Sequence, residues 1–179
     1  MAAVPHFLIA TSLIALLSAA AWHDVRSFRI PNAITVPGIL IGIALNTFLP
    51  SGLGFTPALY GFALGLFGLL PLYLLRIWGA GDVKLMAVVG AFLGPTGLWG
   101  SLLASLLIGG IAALFVACHR RSGKLLFENL RSMLYQMHFN VQLRTVKATD
   151  APAQSAGKIA YALPILLGTS AYLAYQPLV

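Results

Sequence analysis

Apolar residues occur along this chain in long runs, and short polar or basic stretches separate the runs. A membrane-crossing α-helix needs roughly 20 apolar residues to span the ~30 Å hydrocarbon core of a bilayer. The pattern therefore predicts an all-α, polytopic membrane protein with six transmembrane helices. The six predicted spans are residues 4–22, 33–49, 56–75, 83–93, 98–118 and 159–178.

The charged residues lie on one side of this arrangement. Only 8% of the residues are charged, against roughly 25% in a soluble domain. The net charge of +7 comes from loops next to the spans, which orients a membrane protein and does not indicate nucleic-acid binding. Basic residues occupy 24–32, 76–84 and 119–158, whereas the turns around Pro50 and Pro95 have none. We therefore expect a multi-pass inner-membrane protein with periplasmic termini and cytoplasmic charged loops.

The chain is predicted to form a single domain, residues 1–179, with one long cytoplasmic loop at about 119–157. Within it, residues 124–138 have an amphipathic pattern. This segment could lie on anionic lipid headgroups or pack on the protein's own loops. Residues 149–157 are typical of a flexible linker. A cleaved signal peptide is the alternative for residues 1–22, but no basic residue precedes Arg26, so we expect span one to be retained.

Two of the four acidic residues are candidate site residues. Glu128 and Asp150 lie in the polar loop, whereas Asp24 and Asp82 each adjoin an apolar span at its cytoplasmic end. Span four has 11 residues and covers only ~16 Å, so Asp82 is expected to be the deeper of the two. Asp82 could simply cap span four, and Asp24 could be an ordinary juxtamembrane residue. Ionisable groups at membrane depth are nevertheless functional candidates.

The residues around the two acids have predicted supporting roles. Gly79 and Gly81 are expected to give the turn before Asp82 positive φ angles. Pro31 and Asn32 are expected to begin span two and to fix the turn that carries Asp24. Arg26 and Arg29 are expected to anchor span one or to contact substrate. Lys84 is expected to extend to the headgroups. The pairs Gly38/Gly42, Gly61/Gly65 and Gly90/Gly94 are expected to be helix-packing contacts.

Paired carboxylates are suited to peptide hydrolysis. Two carboxyl groups within ~4 Å of each other tend to share one proton, so one can activate water while the other protonates the substrate. This chemistry needs no cofactor and no metal. His23-Asp24 is similar to the dipeptide of metal-dependent HD phosphohydrolases, but the other histidines lie on other elements or on the opposite face. From helix dipoles alone, Asp82 would be the base and Asp24 the acid, although Arg26 could reverse this order.

The motifs resemble a known family. "GAGDVKL", residues 79–85, is similar to the GxGD motif of intramembrane aspartyl proteases, and "DVRSFRIPN", residues 24–32, is similar to the first-aspartate segment of bacterial prepilin peptidases. "GKIAYALPILLG" near the C-terminus departs from the family's Pro-Tyr-Gly pattern, so no catalytic role is assigned to it. The resemblance implies that Asp24 and Asp82 are catalytic.

The resemblance also implies the substrate and the subtype. The expected partner is a prepilin or pseudopilin with a short basic leader and an apolar helix, cleaved at the cytoplasmic face. With a single cysteine, Cys118, the chain is similar to the short peptidases of Flp or Tad pilus systems. This resemblance implies no N-methyltransferase activity. A proton-coupled transporter or a non-catalytic pilus or secretion assembly subunit is the alternative. The sequence makes no prediction of oligomeric state.

Overall fold

The described part of the computed structural model, residues 3–75, 78–119, 131–132 and 160–175, is helical and contains no strand. This confirms the all-α prediction for these residues. The elements are α1 (Ala3–Ser27), α2 (Asn32–Phe48), α3 (Phe55–Ala63), a π-helical turn (Leu64–Gly68), α4 (Leu70–Leu74), α5 (Ala80–His119) and α6 (Ala162–Tyr175). The predicted amphipathic segment 124–138 lies outside the described residues except for Arg131 and Ser132, and the linker 149–157 lies wholly outside them.

Several helices are apolar enough to belong in a membrane. Among the described residues, three stretches are long enough to cross one: Phe7–Ser27, Phe55–Leu74 and Ala80–Val116. α2 and α6 are shorter apolar helices. Large apolar side chains such as Phe48, Phe67 and Leu107 are more than half exposed, as expected where lipid replaces water. The molecule is thus a membrane protein, while the six-span count stays a prediction.

α5 reverses direction at Gly94. Gly94 has φ 67° and ψ −173°, which is not helical backbone. Asp82 lines a cleft with Tyr161, and a Cβ added at Gly109 would lie 2.8 Å from the Tyr161 ring. A straight helix would place residues 82 and 109 about 40 Å apart. The two halves of α5, residues 80–93 and 95–119, are therefore antiparallel, as the predicted turn between spans four and five requires.

A buried amide stabilises this reversal. Pro95 has no N–H, so the carbonyl of Ala91 loses its usual partner four residues on. Asn46 of α2, 1% exposed, supplies a replacement: its Nδ2 donates to the carbonyls of Ala91 (3.0 Å) and Phe92 (2.8 Å). Its Oδ1 also accepts from the amide of Leu53 (3.0 Å). One side chain thus joins the Gly94 turn to the turn that follows α2.

Glycines allow the helices to pack closely, as predicted for the three glycine pairs. Gly61 of α3 contacts Gly90 of α5 backbone to backbone, and a Cβ at Gly65 would lie 2.7 Å from the Met86 carbonyl. Gly38 of α2 faces the side chain of Val88. Gly94 forms the turn and also packs closely, since its backbone carbon would lie 2.8 Å from a Cβ added at Gly61.

α6 packs antiparallel to the second half of α5. Gly168 meets Ser105 and Tyr172 meets Gly100, whereas Tyr161 meets Gly109. The N-terminus of α6 therefore lies at the same end of the molecule as Asp82 and the C-terminal end of α1. The Gly94 turn and both ends of the described chain lie at the opposite end.

Candidate active site

An open cleft of about 520 Å³ lies where the ends of α1, α5 and α6 meet. It contains both predicted carboxylates together with residues from the loops before α2 and α5. Its lining residues are Asp24, Phe28, Arg29, Ile30, Gly79, Ala80, Gly81, Asp82, Lys84 and Tyr161. Residues from positions 24 to 161 of the chain thus meet at one site.

Asp24 lies in the last turn of α1 and is buried, with 6% of its surface exposed. Its Oδ2 accepts a hydrogen bond from the backbone amide of Ala162 (3.0 Å) at the first residue of α6. α1 ends just beyond it at Phe28, whose φ of 49° is left-handed. The Phe28 amide donates to the Asp24 carbonyl (2.8 Å), which is the bond of a left-handed helix cap. The left-handed conformation costs a bulky residue about 1 kcal/mol.

Asp82 lies in the first turn of α5, which begins at Ala80. The residue is therefore inside the helix and is not its N-cap. Its carboxylate accepts from the backbone amide of Gly79, the return bond that a third helical residue makes in a capping box. This bond holds Asp82 toward the cleft and satisfies a free amide at the helix start.

The two carboxyl groups share one site. They line the same cleft and lie near enough for the charge of Asp24 to act on Asp82. The pairing predicted from their scarcity is thus seen in the fold. The relative depth of the two acids in the membrane stays a prediction, but within the protein Asp24 is buried and Asp82 is half-buried. The reason is that α6 covers Asp24, a long-range contact that span lengths do not reveal.

The glycines before Asp82 are needed for space and not for positive φ angles. Gly54 and Gly94 are the glycines with positive φ in the described chain, so the predicted conformations of Gly79 and Gly81 are wrong. A Cβ at Gly79 would lie 2.9 Å from Oδ2 of Asp82, and one at Gly81 would lie 3.2 Å from Cβ of Ile30. Glycine at position 81 therefore lets the start of α5 approach the segment that follows Asp24.

Asn32 and Lys84 join the two aspartate segments. α2 begins at Asn32 with Pro31 as its N-cap, as predicted, but the Asn32 side chain does not cap the helix. Instead its Oδ1 accepts from Nζ of Lys84 (2.9 Å). Lys84 lines the cleft and binds a neighbouring helix, and its extension to the headgroups stays a prediction.

The two arginines have different positions. Arg29 lines the cleft and is exposed, so it can contact a bound molecule. Arg26 instead lies over the ring of Trp22, 4.1 Å from its centroid, in a cation–π contact at the surface. Among the described residues, no group of three or more His, Cys, Asp or Glu side chains is placed to hold a metal ion.

Sequence reasoning missed the contribution of the Tyr161–Ala162 segment. Tyr161 lines the cleft and packs on Trp78, with ring centroids 5.6 Å apart, and the Ala162 amide binds Asp24. The N-terminus of α6 therefore faces the same carboxylate as the C-terminus of α1. Helix dipoles of opposite sign meet there, so the dipole argument no longer separates the roles of the two acids. The Ala-Leu-Pro sequence at 162–164 was the available signal, because proline favours the first turn of a helix.

A comparison with known protein families gives a match over much of the chain. A profile of the type IV leader peptidase family matches residues 11–114, which is more than half of the chain and includes both aspartates. With the apolar helices, this match relates the molecule to membrane-embedded leader peptidases. The chain belongs to the type IV leader peptidase family.

A curated relative has a matching description. The chain is 35% identical over 112 residues to the prepilin leader peptidase/N-methyltransferase of Myxococcus xanthus (strain DK1622). The match covers 58% of this chain and 33% of the relative, so the chain spans about a third of the length of that protein. No solved structure matches the chain.

Proposed function

We propose that this protein is an aspartic endopeptidase that removes the short basic leader from prepilin-like substrates. The observation that carries the proposal is the cleft that contains both Asp24 and Asp82. Family membership and the description of the Myxococcus relative support the substrate class. The proposed location is the inner membrane, with the cleft facing the cytoplasm.

In the proposed reaction, the ionised carboxylate takes a proton from a water molecule, and the resulting hydroxide attacks the scissile carbonyl carbon. The neutral carboxyl group donates its proton to the carbonyl oxygen. The tetrahedral intermediate collapses when the carbon–nitrogen bond breaks: the leaving amine takes a proton from the pair, and a hydroxyl of the intermediate returns one to the pair as the new carboxyl group forms. Two acids and one water molecule account for every proton that moves.

The cleft has features suited to the junction between a leader and an apolar helix. Phe28, about half exposed, and Ile30 offer apolar surface beside the carboxylates. The cleft also contains the cations Arg29 and Lys84, which repel a basic leader at long range. Part of this repulsion is offset because Asp24 and Asp82 lie in the same cleft.

The alternative of a proton relay is less well supported. A relay across the membrane would need ionisable groups along its path. In the described helices, the Asp, Glu, Lys and Arg side chains of residues 7–119 are Asp24, Arg26, Arg29, Asp82 and Lys84, and all lie at the cleft end. A peptidase acting at that end accounts for this distribution.

The test is cleavage of a prepilin-like substrate with a basic leader, a glycine at the cleavage site and an apolar helix, co-expressed with the enzyme and followed by gel shift. Asp24→Asn and Asp82→Asn should each accumulate in the membrane and each lose cleavage by a factor of 100 or more, as loss of a general acid or base predicts (~10²–10⁴). Asp150→Asn, the same chemical change in the polar loop, should cleave normally. Cleavage by either single variant at near wild-type rate would exclude the aspartic mechanism.

The proposal includes the absence of product methylation, which the single cysteine of this chain supports. Mass spectrometry of pilin processed in a host that contains only this enzyme tests it. An added mass of one methyl group would contradict this part of the proposal and leave the peptidase activity unaffected.

A further inference from the structure

The Asp24 carboxylate is held by a residue from the far end of the chain. The Ala162 amide lies 3.0 Å from Oδ2, across 138 sequence positions, and both residues are buried. Ala162 is the first residue of α6, so its N–H is one of the amides that a helix leaves without an internal acceptor. This donor is therefore free to bind Asp24 at no cost to the helix.

The surrounding contacts keep the Ala162 amide in a fixed position. Tyr161, directly before it, packs against Trp78 and against Gly109 of α5. The amide of Ile165 donates to the Tyr161 carbonyl (3.2 Å). The first turn of α6 is thus anchored on two sides of the cleft, and its first amide has a fixed direction.

We propose that the backbone N–H of Ala162 is a positioning group that orients the Asp24 carboxylate for catalysis. This inference rests on the proposed function, because it assumes that Asp24 reacts with water or substrate. The bond to Oδ2 fixes the plane of the carboxylate and directs Oδ1 toward the reacting molecule. The role belongs to the backbone and not to a side chain, which is why the residue type at position 162 gave no sign of it.

The sharpest test removes only the N–H. Replacement of Ala162 by lactic acid during cell-free synthesis into lipid nanodiscs converts the Tyr161–Ala162 peptide bond into an ester. The side chain is unchanged. We expect kcat for the prepilin-like substrate to fall about ten-fold, the loss typical of one charge-assisted hydrogen bond. KM should change by less than a factor of about 2.

The matched control is Leu163 replaced by its own hydroxy acid, leucic acid. That change removes the neighbouring amide hydrogen, whose acceptor is the Ala160 carbonyl and not Asp24, so kcat should stay near the wild-type value. Ala162→Pro removes the N–H at a helix position where proline is tolerated, so it should reproduce the loss.

The outcomes separate this inference from the proposed function. Wild-type kcat in the lactic acid variant, or an equal loss in the leucic acid control, would overturn the positioning role. A raised KM with unchanged kcat would overturn it as well, because the group would then serve substrate binding. If Asp24→Asn cleaves normally, the aspartic mechanism itself fails, and the positioning role fails with it.

Discussion

Nζ of Lys84 lies 2.9 Å from Oδ1 of Asn32, and this hydrogen bond joins the first turn of α5 to the first residue of α2. The turn of α5 carries Asp82, and the chain before α2 carries Asp24. The pair therefore bridges the segments of both acids at the edge of the cleft.

We expect Asn32→Ala and Lys84→Met each to lower kcat/KM about five-fold, since one exposed hydrogen bond contributes ~1 kcal/mol. The double variant should lose little more than either single one, because both changes remove the same bond. Asn32→Asp keeps an acceptor for Lys84 and should stay near wild type. Fully additive losses in a cleavage assay would show that the two residues act independently.

Gly81→Val should abolish cleavage while the protein still accumulates in the membrane. A Cβ at this position meets Ile30 at 3.2–3.3 Å, and the two added methyl groups would displace the segment that follows Asp24. Gly110→Val is the matched control, since nothing lies within 4 Å of a Cβ added there. Gly110 is also helical, so both variants carry the same cost in helix propensity. Equal activity in the two variants, measured by gel shift, would show that close packing at Gly81 is unnecessary.

Asn46→Ala should destabilise the fold without touching the cleft. It leaves the Ala91 and Phe92 carbonyls without the Asn46 donor, and each lost partner of a buried polar group costs about 1–3 kcal/mol. We expect the free energy of unfolding in detergent to fall by about 2 kcal/mol or more. Asn46→Asp should also be destabilising, because an ionised carboxylate cannot donate to these carbonyls.

Thr47→Val is the control for this measurement. Thr47 bonds only to the Ile43 carbonyl of its own helix (2.6 Å) and is exposed, so its loss should change stability little. If Thr47→Val and Asn46→Ala lower the midpoint of unfolding equally, the amide bridge to the Gly94 turn contributes no special stability.

Orientation in the membrane can be tested with single cysteines in a Cys118→Ser background. The cleft end carries Arg26, Arg29 and Lys84, so the rule that basic residues stay in the cytoplasm places it inside. Leu53→Cys and Thr96→Cys, both exposed at the opposite end, should react with an impermeant thiol reagent added to spheroplasts. Ser27→Cys should react only after the membrane is opened. The reverse pattern would invert the proposed topology.

The helices and the two acids could be predicted from the sequence because both depend on local composition. Long apolar runs define spans, and in a chain with four acids a carboxylate beside such a run is conspicuous. The contacts of Asn46 with Ala91 and of Ala162 with Asp24 could not be predicted, because they join positions 45 and 138 residues apart. The predicted backbone conformations of Gly79 and Gly81 were wrong for a related reason, since the need for glycine there comes from Asp82 and Ile30 and not from the local backbone.

The bond between Ala162 and Asp24 also has a consequence for the order of synthesis. Asp24 leaves the ribosome 138 residues before its partner, a delay of roughly 7–30 s at the usual rates of translation (about 5–20 residues per second). Within that interval α1, α2 and α5 can enter the bilayer, and both carboxylates are present once Asp82 has been made. The carboxylate of Asp24 receives its donor only when α6 arrives. On the proposed function, activity is tied to the arrival of α6, and a ribosome-bound nascent chain that lacks α6 carries an incomplete site.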